Sequence, residues 1–89
     1  MDVKEAVKAA KNWVLDVMQE EQPTNLGLEE VEFDEAQHLW KITLGFSRPW
    51  SGNALSALAG QAQRAYRTII VRDRDGSVQG MKRKLSADD

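Results

Sequence analysis

Cysteine is absent from the 89 residues, which excludes disulfide cross-links, thiolate metal sites and a cysteine nucleophile. Histidine occurs once, and a lone imidazole at His38 with no thiolate nearby is a poor metal ligand set. It would also have to be the base for any serine nucleophile, yet no serine sits in a nucleophile-elbow context. His38 therefore reads as a solvated turn residue, and no metal, cofactor or enzymatic activity is expected. No apolar run is long enough to span a bilayer. The opening Met1-Asp2-Val3-Lys4-Glu5 lacks the basic-then-apolar layout of a signal peptide, so the expected setting is cytoplasmic with no membrane partner. A chain of this length has room for one domain, 1–89, with one modest core.

What is present is organised around Trp40-Lys41-Ile42-Thr43-Leu44-Gly45-Phe46. Its large apolar residues fall on every second position, the period of a strand with one buried and one wet face. Ahead of it, Val3, Val7, Ala10, Val14 and Val17 recur at helical spacing, with Lys4, Lys8 and Lys11 on the wet side and Leu15 nearly opposite the stripe. Asp2 with Glu5 three residues on forms a capping box, and Pro23 stops the helix, giving a helix over about 2–21. Pro23-Thr24-Asn25-Leu26-Gly27 reads as a turn.

Strands are expected over about 28–34, 39–46, 66–72 and 77–84. In the first hairpin, Phe33 lies opposite Trp40 and Val31 opposite Ile42, all on one face. In the last, Asp73-Arg74-Asp75-Gly76 turns the chain, with Asp73 facing Ser77, Ile69 facing Met81 and Val71 facing Gln79. Between the hairpins lies an excursion, 47–65, that is a long loop or a short helix over 54–63. The fold class is α+β, an N-terminal helix packed on a four-stranded antiparallel meander. Trp40 is expected to be buried between sheet and helix.

Trp40-Lys41-Ile42-Thr43-Leu44, Tyr66-Arg67-Thr68-Ile69-Ile70-Val71 and Asp73-Arg74-Asp75-Gly76-Ser77-Val78 together resemble the PepSY and cystatin-like layout. In that layout a helix precedes a meander that ends in a hairpin turning on an acidic-Gly pair. The resemblance implies a small regulatory binding domain, PepSY domains being regulators of peptidases. It carries no catalytic residues across.

Charge is unevenly distributed. Residues 1–40 carry three bases against ten acids, and residues 41–84 carry nine bases against two acids. Such a split implies either an acidic partner for the basic half or mutual neutralisation across one sheet. The acids at Glu29, Glu30, Glu32, Asp34 and Glu35 lack the loop spacing of a calcium site and read as a wet strand face.

Two features point to binding. Arg48 and Trp50 flank Pro49 on a loop, and these are residue types common at interface hot spots. Tyr66, Thr68, Ile70 and Val78 are expected on the sheet face away from the helix, an apolar patch open to a partner or covered by Leu55, Leu58 and Ala62 of the 54–63 segment. The expected function is a non-enzymatic module that binds another protein or a second copy of itself. The alternative is a nucleic-acid binder using Arg64, Arg67, Arg72, Arg74, Lys82, Arg83 and Lys84, against which the acidic pI of about 5.4 weighs.

Overall fold

The Trp40–Phe46 alternation becomes an inner strand. A computed structural model describes residues 1–47 and 64–84. Its helix α1 (Val3–Val17) lies on an antiparallel sheet of strands β1 (Thr24–Asp34), β2 (Leu39–Ser47), β3 (Arg64–Arg72) and β4 (Val78–Lys84), in the spatial order β1-β2-β3-β4. The expected α+β meander is therefore the fold. Arg48, Trp50 and the 54–63 segment lie outside the described residues.

The α1 N-terminus is capped as its sequence dictates. Asp2 Oδ1 accepts from Glu5 N at 2.8 Å and Glu5 Oε1 accepts from Asp2 N at 3.2 Å. The helix ends four residues earlier than expected, at Val17, and a 3-10 turn follows at Gln19–Glu21. Gln22 then takes left-handed angles (φ 48°), which breaks the ladder before Pro23 is reached.

The residues that seat α1 are Ala6, Ala10, Val14 and Met18, all buried. Val3 and Val17, the ends of the expected stripe, are exposed. Beneath the helix, Ile42, Leu44 and Phe46 of β2 join Ile69 and Val71 of β3, each with no exposed surface. Trp40 is expected to be buried but is only partly so, packing against the margin of this cluster. Its ring packs on Phe33 with centroids 4.7 Å apart, and its indole N–H donates to Asp73 Oδ1 at 2.9 Å. That bond, with Asp73 N donating to the His38 carbonyl at 3.0 Å, ties the turn of one hairpin to the turn of the other.

The first hairpin has the expected register, Phe33 opposite Trp40 and Val31 opposite Ile42. His38 is exposed in the turn with φ 55°, as a loop residue closing the hairpin. Where β1 departs from expectation is its start. Thr24 to Gly27 is strand, not turn, because β1 has 11 residues against nine in β2 and absorbs the excess in irregularities at Thr24/Gly27 and Leu28/Glu30. The positive φ of Asn25 (54°) belongs to the first of these.

The second hairpin also corrects one pairing. Ile69 faces Met81 as expected, but Val71 faces Val78 rather than Gln79, because a bulge falls between the Ile70–Gly80 and Val71–Val78 pairs. The extra residue changes the parity of the strand, so Val78 turns to the helix side and packs on the core.

The Asp73–Gly76 turn closes with Gly76 N donating to the Arg72 carbonyl at 2.8 Å, and Gly76 takes the left-handed φ of 75°. Asp75 is its hub. It accepts from the Arg72 guanidinium at 2.6 and 3.1 Å, from Ser77 N at 3.0 Å and from Ser77 Oγ at 2.7 Å. Those donors, Arg72 foremost, hold the Asp75 carboxyl well below the usual carboxylate range. The Trp40 indole is the chief cause of a smaller lowering at Asp73.

Two predictions follow from this packing. Phe46→Ala is expected to cost about 3–5 kcal/mol, and Trp40→Ala about 2, since the first empties a sealed site and the second a half-open one. Denaturant unfolding of the two variants checks the order, and equal losses would place Trp40 in the sealed core. Because both turn carboxylates titrate lower when folded, their stabilisation is complete above the unfolded value of about 4 and is lost as pH falls below it. Melting temperature should therefore fall more steeply below about pH 4 in the native chain than in Asp75→Asn. Parallel curves would remove Asp75 from the linkage.

Candidate binding groove between helix and edge strand

Cross-strand partners share a face, so the ladder assigns every side chain to one side of the sheet. The far face carries Lys41, Thr43, Gly45 and Ser47 of β2 opposite Ile70, Thr68, Tyr66 and Arg64 of β3. Tyr66 and Ile70 thus sit where expected, but Val78 does not join them. Both are only partly exposed, and polar groups surround them.

Ion pairs cross this face. Lys84 Nζ lies 2.9 Å from Glu30 Oε1 although β2 and β3 separate their strands. Arg64 reaches over β2 to Glu29 at 3.5 Å, and Lys41 meets Asp34 at 3.9 Å. The acids of the first half and the bases of the second therefore meet across the sheet. Gly45 makes one crossing possible, since a Cβ there would stand 2.7 Å from both Arg64 Nη2 and Glu29 Oε1. Under the straps, the Thr43 and Thr68 hydroxyls share a hydrogen bond of 3.0 Å.

Arg67 belongs to the other side. It is buried beside Leu44, its guanidinium 5.8 Å from the Phe46 ring centroid and donating to the Tyr66 carbonyl at 2.9 Å.

The exposed large apolar residues lie on the helix side. The Leu28/Glu30 irregularity sends Glu29 to Arg64 on the far face and leaves Leu28 paired with Leu44, on the face of the helix. Leu28 is 45% exposed there, Leu15 of α1 is 47% exposed and Val3 41%. With Val7 and Leu26 they line a groove of about 620 Å³ between α1 and β1. Its volume is that of a small-ligand or peptide-anchor site. Lys4, Lys8 and Lys11 stand along its helix wall, one turn apart, with Asn12 beside them. Acids do not contribute to its lining among the described residues.

The groove was not anticipated as a site. Its signals in the sequence are Leu15 among lysines on the wet side of the helix, Leu26 within the expected turn and Leu28 at the start of the first expected strand. Arg48 and Trp50 lie outside the described residues. Among the described residues no three histidine or acidic side chains converge as a metal site would require. No helix among them is long and apolar enough to cross a membrane. No protein-family model matches the chain, and no curated protein or solved structure is significantly similar to it.

Leu15 and Leu28 contribute their side chains to the groove rather than to the core. Leu15→Asp and Leu28→Asp should each leave stability within about 1 kcal/mol of the parent, measured by thermal and urea unfolding. A loss of several kcal/mol would mean that the groove is a closed part of the core.

Proposed function

We propose that this chain is a non-enzymatic protein-binding module whose contact surface is the groove between α1 and β1. One observation carries the reading. Three large apolar side chains, Val3, Leu15 and Leu28, stay more than two-fifths exposed around a single concave apolar surface. Contiguous exposed apolar surface of this kind costs a free monomer solubility and is the usual mark of an interaction site. A regulatory role of the sort implied by the PepSY-like layout belongs to the same class, since such a regulator acts by occupying a partner.

The far face supports this choice by contrast. Its apolar members, Tyr66 and Ile70, are embedded among the straps formed by Glu29, Glu30 and Asp34 with Arg64, Lys84 and Lys41. Ion pairing and burial among the basic residues also weigh against nucleic acid as the partner. Arg64, Arg72 and Lys84 already hold carboxylates, and Arg67 is buried.

The test is comparative capture. The native chain and the Leu15→Asp/Leu28→Asp double variant, both verified as folded by circular dichroism, are immobilised and exposed to the same lysate of the source cells. Proteins retained by the native chain and lost from the variant support the reading. Equal retention by both, or a salt-sensitive shift of single-stranded DNA that the double variant keeps, overturns it.

A further inference from the structure

We infer that the partner segment taken by this groove is an acidic amphipathic helix, laid alongside α1 with its apolar face on Leu15, Leu26 and Leu28 and its carboxylates on Lys4, Lys8 and Lys11. The inference rests on the protein-binding reading of the groove and names the chemistry of the occupant.

The lysine row is the first argument. Lys4, Lys8 and Lys11 recur at four and three residues on the groove wall, so their ammonium groups repeat along the axis at about one helical turn, roughly 5 Å. A partner helix with acids at the same spacing meets all three in register. A ligand with a single carboxylate, such as a fatty acid, engages one and leaves the others unmatched. None of the three charge straps on the far face draws on these lysines, and none of Lys4, Lys8 and Lys11 has an ion-pair partner among the described residues.

The shape of the groove is the second. It is open along its length, with α1 as one wall and the irregular part of β1 as the other. An occupant must supply its own polar outer surface, as an amphipathic helix does. The alternative of an added strand is opposed by β1 itself. Its two irregularities, at Thr24/Gly27 and Leu28/Glu30, fall where Leu26 and Leu28 line the groove, and a bulged edge is a poor template for further pairing.

Charge also opposes a second copy of this chain on the same surface. A two-fold contact of α1 on α1 would oppose one lysine row to another, and like charges brought face to face repel. The segment 54–63 of this chain is no better match, since it contains no acid.

The experiment uses the whole chain, isotope-labelled, and two stapled helical peptides of about 15 residues, the length of α1. Both carry leucine at positions i, i+3, i+4 and i+7. One has glutamate on the flanks and the other has lysine at the same places. The expected result is that the glutamate peptide shifts the amides of Lys4–Leu15 and Leu26–Leu28 and binds about tenfold more weakly to Lys4→Glu/Lys8→Glu/Lys11→Glu. The same triple variant should prefer the lysine peptide, a reversal that a merely unfolded variant cannot produce. Equal binding of both peptides, each lost in Leu28→Asp, overturns the acidic partner and leaves the groove as a protein-binding surface. Shifts from the glutamate peptide confined to residues outside the groove overturn both readings. Saturable occupation of the groove by oleate that excludes the glutamate peptide overturns the helix in favour of a lipid.

Discussion

The structure depends on how closely α1 can settle on the two central strands. Ala6 and Ala10 have no exposed surface, and with Val14 they bring the helix down onto Ile42, Leu44, Phe46, Ile69 and Val71. Small residues at the contact permit a close approach, and the large residues of the sheet fill the space. The helix is only 15 residues long and cannot cover a sheet of four strands evenly. Seated over β2 and β3, it leaves β1 and β4 half-sheltered. On the β4 side Val78 and Met81 still pack against the core, whereas on the β1 side Leu28 and Val31 remain exposed. The groove is what that asymmetry leaves open.

Irregular pairing then decides which side chains the groove and the far face receive. A one-residue slip carries every following side chain to the opposite face. In β1 the slip at Leu28/Glu30 separates neighbours of opposite character, sending Glu29 across β2 to Arg64 and leaving Leu28 beside the helix. In β4 the bulge at Gln79 returns Val78 to the core and leaves Tyr66 and Ile70 without the third member of an apolar patch. Both irregular strands are edges of the sheet, where bulges also discourage pairing with other chains.

Charge follows the same geometry. The acidic strand β1 and the basic strand β4 are opposite edges, yet Glu30 and Lys84 touch. Individually such surface pairs contribute little, up to about 1 kcal/mol. Their larger effect is on what the face presents, because bases held by carboxylates are less available to an acidic ligand. The lysines of α1 stand on the other side of the sheet from these straps. Charge that looks like one imbalance along the chain is thus two separate arrangements in space, one closed and one open.

Much of the fold was legible in the sequence because it is set by short-range periodicity. The alternation at Trp40–Phe46, the helical spacing through Ala10 and Val14, the Asp2–Glu5 box and the Asp73–Gly76 turn each act within a few residues. They specified one helix, two hairpins and the register of Phe33 on Trp40. Side-chain parity beyond a bulge is not local, since it depends on which residue the neighbouring strand leaves unpaired. The sequence therefore placed Val78 on the wrong face, and read Thr24–Gly27 as a turn where β2 holds it as strand. Nor could periodicity show how far the helix reaches across the sheet. Leu15, Leu28 and three lysines were visible as residue types, but only the seating of α1 over β2 and β3 set them around one concave surface.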